Sequence, residues 1–243
     1  MTGSPLAHDF VPAANFESRR NGRAVDMLIL HYTGMASAAA ACDQLCNRGS
    51  GVSCHYLIDG QGIITQMVDE EMRAWHAGAS LWQGESDSNS RSIGIEIHNP
   101  GHAFGYTDFP PEQMRAVVAL CRDIVSRRAI PPCQVLAHSD VAPGRKIDPG
   151  EKFDWRMLYE EGVGHWVPPA DADPAHLTPD EITELQRLLL NYGYGIAVTG
   201  VEDALTRRVL DAFRRHFRQS EISGPADRAT LATVQRLVES RPR

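Results

Sequence analysis

Between residues 92 and 99 the chain alternates one by one: Ile93, Ile95 and Ile97 take one side, Gly94, Glu96 and His98 the other. A period of two is the mark of a β-strand, and so regular an alternation asks for an apolar layer against the isoleucine face. Glu96 then stands on the opposite face, either in solvent or aimed into a site. The preceding and following segments supply the layers. Residues 25–32 are a compact apolar run ending in a histidine, most simply a buried strand. Residues 37–48 are Ala-rich and read as a helix. Residues 55–66 hold two β-rich runs around Asp59-Gly60-Gln61-Gly62, a hairpin signal. Pro111–Arg128 places Met114, Val117, Val118, Cys121, Ile124 and Val125 along one helical stripe. Residues 134–138 read as another short strand ending in a histidine. The expectation is an α/β fold, a mixed central sheet flanked by helices.

The pattern changes at Trp166, where Val-Pro-Pro-Ala-Asp-Ala-Asp-Pro-Ala175 has no apolar period and reads as a linker. Beyond it, Thr178-Pro-Asp-Glu181 has the form of a capping box opening a helix, with Pro at the first helical position. Ile182, Leu185, Leu188, Leu189 and Tyr192 give that helix an apolar face. Leu205, Val209, Leu210, Phe213 and Phe217 give a second, and Asp227 caps a third carrying Leu231, Val234, Leu237 and Val238. The division expected is 1–165 as an α/β domain, 166–177 as a linker and 178–243 as a small three-helix bundle.

Composition narrows the function classes. Of 243 residues, 31 are acidic and 24 basic. The net charge of −7 argues against a chain that lives on nucleic-acid phosphates or anionic lipid. Residues 178–243 are nearly balanced, so the α/β part carries the negative charge. No apolar stretch suits a secretory signal or a membrane span. Cys42, Cys46, Cys54, Cys121 and Cys133 are odd in number; Cys42 and Cys46 are the one close pair, half of a metal site or two thiols on a helix. Reduced thiols and no export signal point to the cytoplasm, with the periplasm as the alternative.

Three polar residues are each expected at the end of an apolar strand: His31, His138 and Asp148. Two neutral imidazoles and a carboxylate would give zinc three ligands and leave one tetrahedral position open. Core histidines bonded to backbone carbonyls are the plain alternative. Near such a site Glu96 would be a natural general base. Lys146, in the Pro- and Gly-dense stretch Ala142-Pro-Gly-Arg-Lys-Ile-Asp-Pro-Gly150, is placed to meet a developing oxyanion, or is simply solvated.

Five ordered motifs carry a resemblance: His31-Tyr-Thr-Gly34, Ser53-Cys-His-Tyr-Leu-Ile-Asp59, Trp75-His-Ala-Gly78, Ser92-Ile-Gly-Ile-Glu-Ile97, and His138-Ser-Asp-Val-Ala-Pro-Gly-Arg-Lys-Ile-Asp-Pro-Gly150. Over about residues 20–165 the chain resembles the zinc-dependent N-acetylmuramoyl-L-alanine amidases of the peptidoglycan-recognition fold. The resemblance implies one Zn2+ on His31, His138 and Asp148, Glu96 as catalytic acid/base, and Lys146 polarising the scissile carbonyl. The implied reaction is hydrolysis of the amide between N-acetylmuramic acid and L-alanine. His55, Trp75, His76, Trp82, Asn89 and Asn99 are the candidates for the substrate cleft. The C-terminal segment resembles the three-helix peptidoglycan-binding module through Leu185-Gln-Arg-Leu-Leu189, Tyr192-Gly-Tyr-Gly195, Thr199-Gly200, Thr206 and Phe213, but has Arg214 where that module often has Gln; glycan binding and a scaffold role against the α/β domain are both open readings. The partners implied are muropeptides or peptidoglycan fragments, with no nucleic acid and no membrane insertion. A recycling enzyme acting on fragments that carry the 1,6-anhydro sugar is the expectation; an envelope amidase on intact wall and a non-catalytic binder are the alternatives.

Overall fold

Residues 2–171 and 173–242 are described by the computed structural model; Met1, Ala172 in the expected linker, and Arg243 lie outside the described residues. Along the chain run β1 (Asp9–Phe10), β2 (Phe16–Ser18), β3 (Met27–Tyr32), α1 (Ala38–Cys46), β4 (Tyr56–Ile58), β5 (Ile64–Gln66), β6 (Met72–Ala74), α2 (Ser88–Arg91) and β7 (Ser92–Ile97). Then follow α3 (Pro111–Arg128), β8 (Val135–Ala137), α4 (His138–Val141), α5 (Trp155–Glu160), α6 (Pro179–Tyr192), α7 (Ala204–Phe217) and α8 (Arg228–Glu239).

The main sheet has the order β1-β5-β4-β7-β3-β8, and β2 pairs with β6 in a separate ribbon. β4, β7, β3 and β8 run parallel, while β5 returns antiparallel to β4 through the expected hairpin. The sheet is therefore mixed, as the alternation of strand and helix signals required.

Strand parity decides what each face meets. Leu28, Leu30, Tyr56, Ile58, Ile93, Ile95 and Ile97 form one core with Met114, Val117, Val118, Cys121 and Ile124 of α3. The predicted stripe of that helix is its buried face. On the other side of the sheet two separate cores form. Cys54 and Leu57 pack with Ala41 and Leu45 of α1. Met27, Ile29 and Leu136 pack with Trp82 and with Leu185, Leu189, Tyr192, Val209, Leu210 and Phe213 of the C-terminal helices. Those helices cover part of the sheet.

Their own starts follow the local chemistry. Thr178 Oγ1 accepts from Glu181 N–H, and the Glu181 carboxylate accepts from Thr178 N–H at 2.8 Å. Asp203 and Asp227 cap α7 and α8 in the same sense. Arg214, 1% exposed, donates to the carbonyls of Gly224 and Pro225 and to Asp227, fixing the loop that leads into α8. All five cysteines are free thiols, with Cys42 and Cys46 half-buried on α1.

Candidate active site

β3 is central, and His31 is its fifth residue, on the face of Met27 and Ile29. β3 and β7 run parallel in the register that pairs His31 with Glu96. On the other side of β3, Leu30 pairs with Ala137, so the chain leaving β8 delivers His138 beside His31. His138 differs from the expectation: it is the first residue of the one-turn helix α4 rather than the last of a strand. Asp148 differs too, lying in the following loop, tied back where Ser139 N–H donates to its carbonyl at 3.1 Å. A loop rich in Pro and Gly, not a strand, brings the third group in.

Three atoms converge. His31 Nδ1 and His138 Nδ1 are 2.9 Å apart, and Asp148 Oδ2 is 3.1 Å from the first and 2.9 Å from the second. The hydrogen bonds behind them fix the tautomers. Ser92 Oγ–H donates to Ser88 C=O at 2.7 Å, so Ser92 Oγ must accept from His76 Nε2–H at 3.1 Å. His76 Nδ1 is then an acceptor, and His31 Nε2–H donates to it at 3.0 Å. On the other ligand, His138 Nε2–H donates to Ala77 C=O at 3.0 Å. Both Nδ1 atoms are left as bare lone pairs facing a carboxylate oxygen. Three acceptors with no hydrogen between them repel unless a cation sits among them. Zinc, bonding N and O at about 2.0–2.2 Å, fits a triangle of that size. Among the described residues this is the one cluster of His, Cys, Asp or Glu so arranged.

The electrostatics agree. Burial, and then His138 nearby, pushes His31 down to about 4, which keeps it a neutral donor at neutral pH. Burial, then the neighbouring His31 and His55, holds His76 well below its ordinary value, as its relay role requires. Burial, then the Asp148 carboxylate, raises Glu96 well above the usual carboxylate range, with Lys146 opposing.

A cleft of about 380 Å³ opens over these atoms, lined by Tyr32 and Thr33, by Gln44 and Leu45 of α1, and by Trp75, His102, Arg145 and Lys146. Glu96 Oε2 and Trp75 Nε1 are buried polar atoms with no hydrogen-bond partner in the protein. In a cleft wall such atoms are satisfied by water or by a ligand.

The structure brings His76, Glu96, His138, Lys146, Asp148 and Trp75 to the cleft wall, with His31 buried directly against His138 and Asp148, and corrects four other expectations. His55 is fully buried beneath it, with Nδ1 accepting from Gly94 N–H at 2.9 Å. Gly94 lies two residues before Glu96, so this histidine sits a full repeat below the carboxyl ends of the strands, where clefts form. Trp82 is 0% exposed, its indole N–H donating to Gln134 at 3.0 Å in the core shared with the C-terminal helices. Asn89 spends its carbonyl on the N–H groups of His76 and Ala77, at 3.1 and 2.8 Å. Asn99 holds its own loop, donating to Thr107 C=O and accepting from Gly101 N–H. The sequence reading missed Tyr32, His102 and Arg145; the only available signals were that Tyr32 follows His31 and Arg145 precedes Lys146.

A sheet that carries one imidazole and an unpartnered glutamate on adjacent strands, met by a second imidazole from a short helix and a carboxylate from a loop, defines a hydrolase with a place for a single metal ion. Residues 21–151 match the N-acetylmuramoyl-L-alanine amidase family, to which the chain belongs, and residues 178–234 match a family described as "Putative peptidoglycan binding domain". The N-acetylmuramoyl-L-alanine amidase AmiD of Escherichia coli is 36% identical, the alignment covering 92% of this chain and 87% of AmiD. A structure of that amidase in complex with the substrate anhydro-N-acetylmuramic acid-L-Ala-D-gamma-Glu-L-Lys superposes with a TM-score of 0.79 at 33% identity, covering 92% of each chain. AmpDh3 of Pseudomonas aeruginosa, in complex with an anhydromuramic pentapeptide, gives a TM-score of 0.78 at 34% identity, over 93% of this chain and 96% of that one.

Proposed function

We propose that the chain hydrolyses the amide between N-acetylmuramic acid and L-alanine in muropeptides, including those with the 1,6-anhydro sugar, and so serves peptidoglycan recycling. The observation that carries this reading is the buried, unpartnered Glu96 Oε2 in the same cleft as His138 and Asp148, two of the three convergent acceptors. His31, His138 and Asp148 would hold zinc, which supplies Lewis acidity toward water and a carbonyl oxygen. Glu96 takes a proton from the attacking water as its oxygen bonds to the lactyl carbonyl carbon. Lys146 shares the negative charge that gathers on the carbonyl oxygen. The carbon–nitrogen bond then breaks, and Glu96 returns the proton to the departing alanine amine. Its raised proton affinity suits a group that must both take and give. Residues up to 165 carry this chemistry, and those from 178 onward stand beside it.

The test is digestion of purified anhydromuropeptide, followed by mass spectrometry. Release of free stem peptide and anhydro sugar, lost on chelation and restored by zinc, is expected; no cleavage by the zinc-loaded chain would refute the reading. A second reading, cleavage of intact wall, is favoured by the match of the C-terminal helices to a peptidoglycan-binding family. Faster release from sacculi than from fragments would favour it. The recycling reading places the chain in the cytoplasm and the wall reading in the periplasm, which cell fractionation separates.

A further inference from the structure

The turn that carries His138 is gripped from outside the catalytic layer. Asp140, two residues on, is fully buried, and its carboxylate accepts three hydrogen bonds. Ala137 N–H donates at 2.8 Å, the Tyr194 hydroxyl at 2.6 Å and His216 Nδ1–H at 2.7 Å. Tyr194 follows α6 and His216 lies in the last turn of α7, so two of the three donors belong to the C-terminal helices. Both donors are themselves held. The His216 ring stacks on Trp155 with centroids 3.7 Å apart, and Tyr194 meets Trp82 edge-on at 5.0 Å.

The same helices brace the other support of His138. Gln83 N–H donates to Gly193 C=O at 2.7 Å, and Leu81 N–H donates to Val141 C=O at 2.7 Å. That segment begins at Ala77, whose carbonyl accepts the His138 Nε2 proton. A single helical turn has no stability of its own. A buried carboxylate is a poor means of gaining stability, but its directional bonds fix a geometry.

We infer that Tyr194 and His216 are positioning residues for the reaction. Through Asp140 they hold α4 where His138 Nδ1 meets His31 and Asp148, so the C-terminal helices complete the metal site rather than only serving to attach the enzyme to wall. This rests on His138 binding zinc, as proposed above.

Tyr194→Phe and His216→Phe each keep an aromatic ring and delete one hydrogen bond to Asp140. Leu237→Ala hollows the core in which those helices pack and leaves all three hydrogen bonds to Asp140 in place, since Leu237 is fully buried there and donates none of them. The full chain carrying both Phe substitutions is expected to bind zinc at least about tenfold more weakly in chelator competition. Its cobalt-substituted form should show an altered visible spectrum, and kcat should fall with KM unchanged. Leu237→Ala should melt lower yet keep the wild-type zinc affinity and cobalt spectrum. Wild-type affinity and spectrum in the double variant, or an equal loss in Leu237→Ala, overturns the inference. If the double variant does not fold, Tyr194→Phe alone is judged by the same readouts. Failure of the wild-type chain to bind one zinc would overturn the proposed function itself, before any variant is compared.

Discussion

His31 and Glu96 are register partners across the parallel pair β3–β7. Neighbouring residues at one register position project to the same face of a sheet. The fold therefore sets a carboxylate beside an imidazole whose far nitrogen is already bonded to His76. Two strands, with no loop between, fix the spacing of metal ligand and base.

Glu96→Gln keeps the shape of that side chain and removes its ability to take a proton. Turnover is expected to fall about 10²–10⁴-fold, with one zinc per chain retained. Metal analysis alongside the hydrolysis rate checks both halves, and normal activity would refute the role.

Lys146→Met removes the ammonium that lines the cleft beside Asp148. A loss of about 10²–10³-fold in kcat with little change in KM is expected if it meets charge only as the carbonyl oxygen becomes negative. A rise in KM alone would make it a ground-state contact.

His76 is not a ligand, yet His76→Phe should weaken zinc binding about 10–100-fold, because His31 then loses the acceptor that fixes its tautomer. Gly94→Ala should act in the same way, since a Cβ there collides with the His76 ring. Isothermal titration with zinc measures both; unchanged affinity would show that the relay is not needed.

Acid stability should depend on Glu70. Burial would raise its pKa, but hydrogen bonds from Arg127, Tyr56 and Arg128 outweigh this and bring it down to about 2. A carboxyl depressed from 4.5 contributes stability that is fully present above pH 4.5 and is lost as pH falls toward 2. At 1.36 kcal/mol per unit, the contribution is about 3 kcal/mol. Thermal melts of Glu70→Gln should start lower at pH 7 and show a shallower decline between pH 4.5 and 2 than the parent chain. Parallel declines would refute the assignment.

The sequence was most informative where spacing is local. The alternation around Glu96, the stripe on α3 and the box at Thr178 are each set by a few neighbouring residues, and each stands in the structure where the pattern put it. His138 was misplaced because β8 is only three residues long and helix begins at once after it. Trp75 and Trp82 could not be told apart by type: one borders the cleft and the other is core, and the difference lies in contacts with residues more than a hundred positions away. His55 has the right strand parity but the wrong height, a quantity that only the register against Gly94 reveals.

Met27, Ile29 and Leu136 lie against the C-terminal helices in one continuous core. Cutting the chain near residue 177 would therefore leave the sheet with a naked oily flank instead of a smaller enzyme. The two halves should melt in one cooperative step, and exchanging the helices for an unrelated wall-binding unit would require a replacement surface for those three side chains. Of the two roles the sequence leaves open for these helices, it is the scaffold that the shared core supports: they are part of the wall of the house.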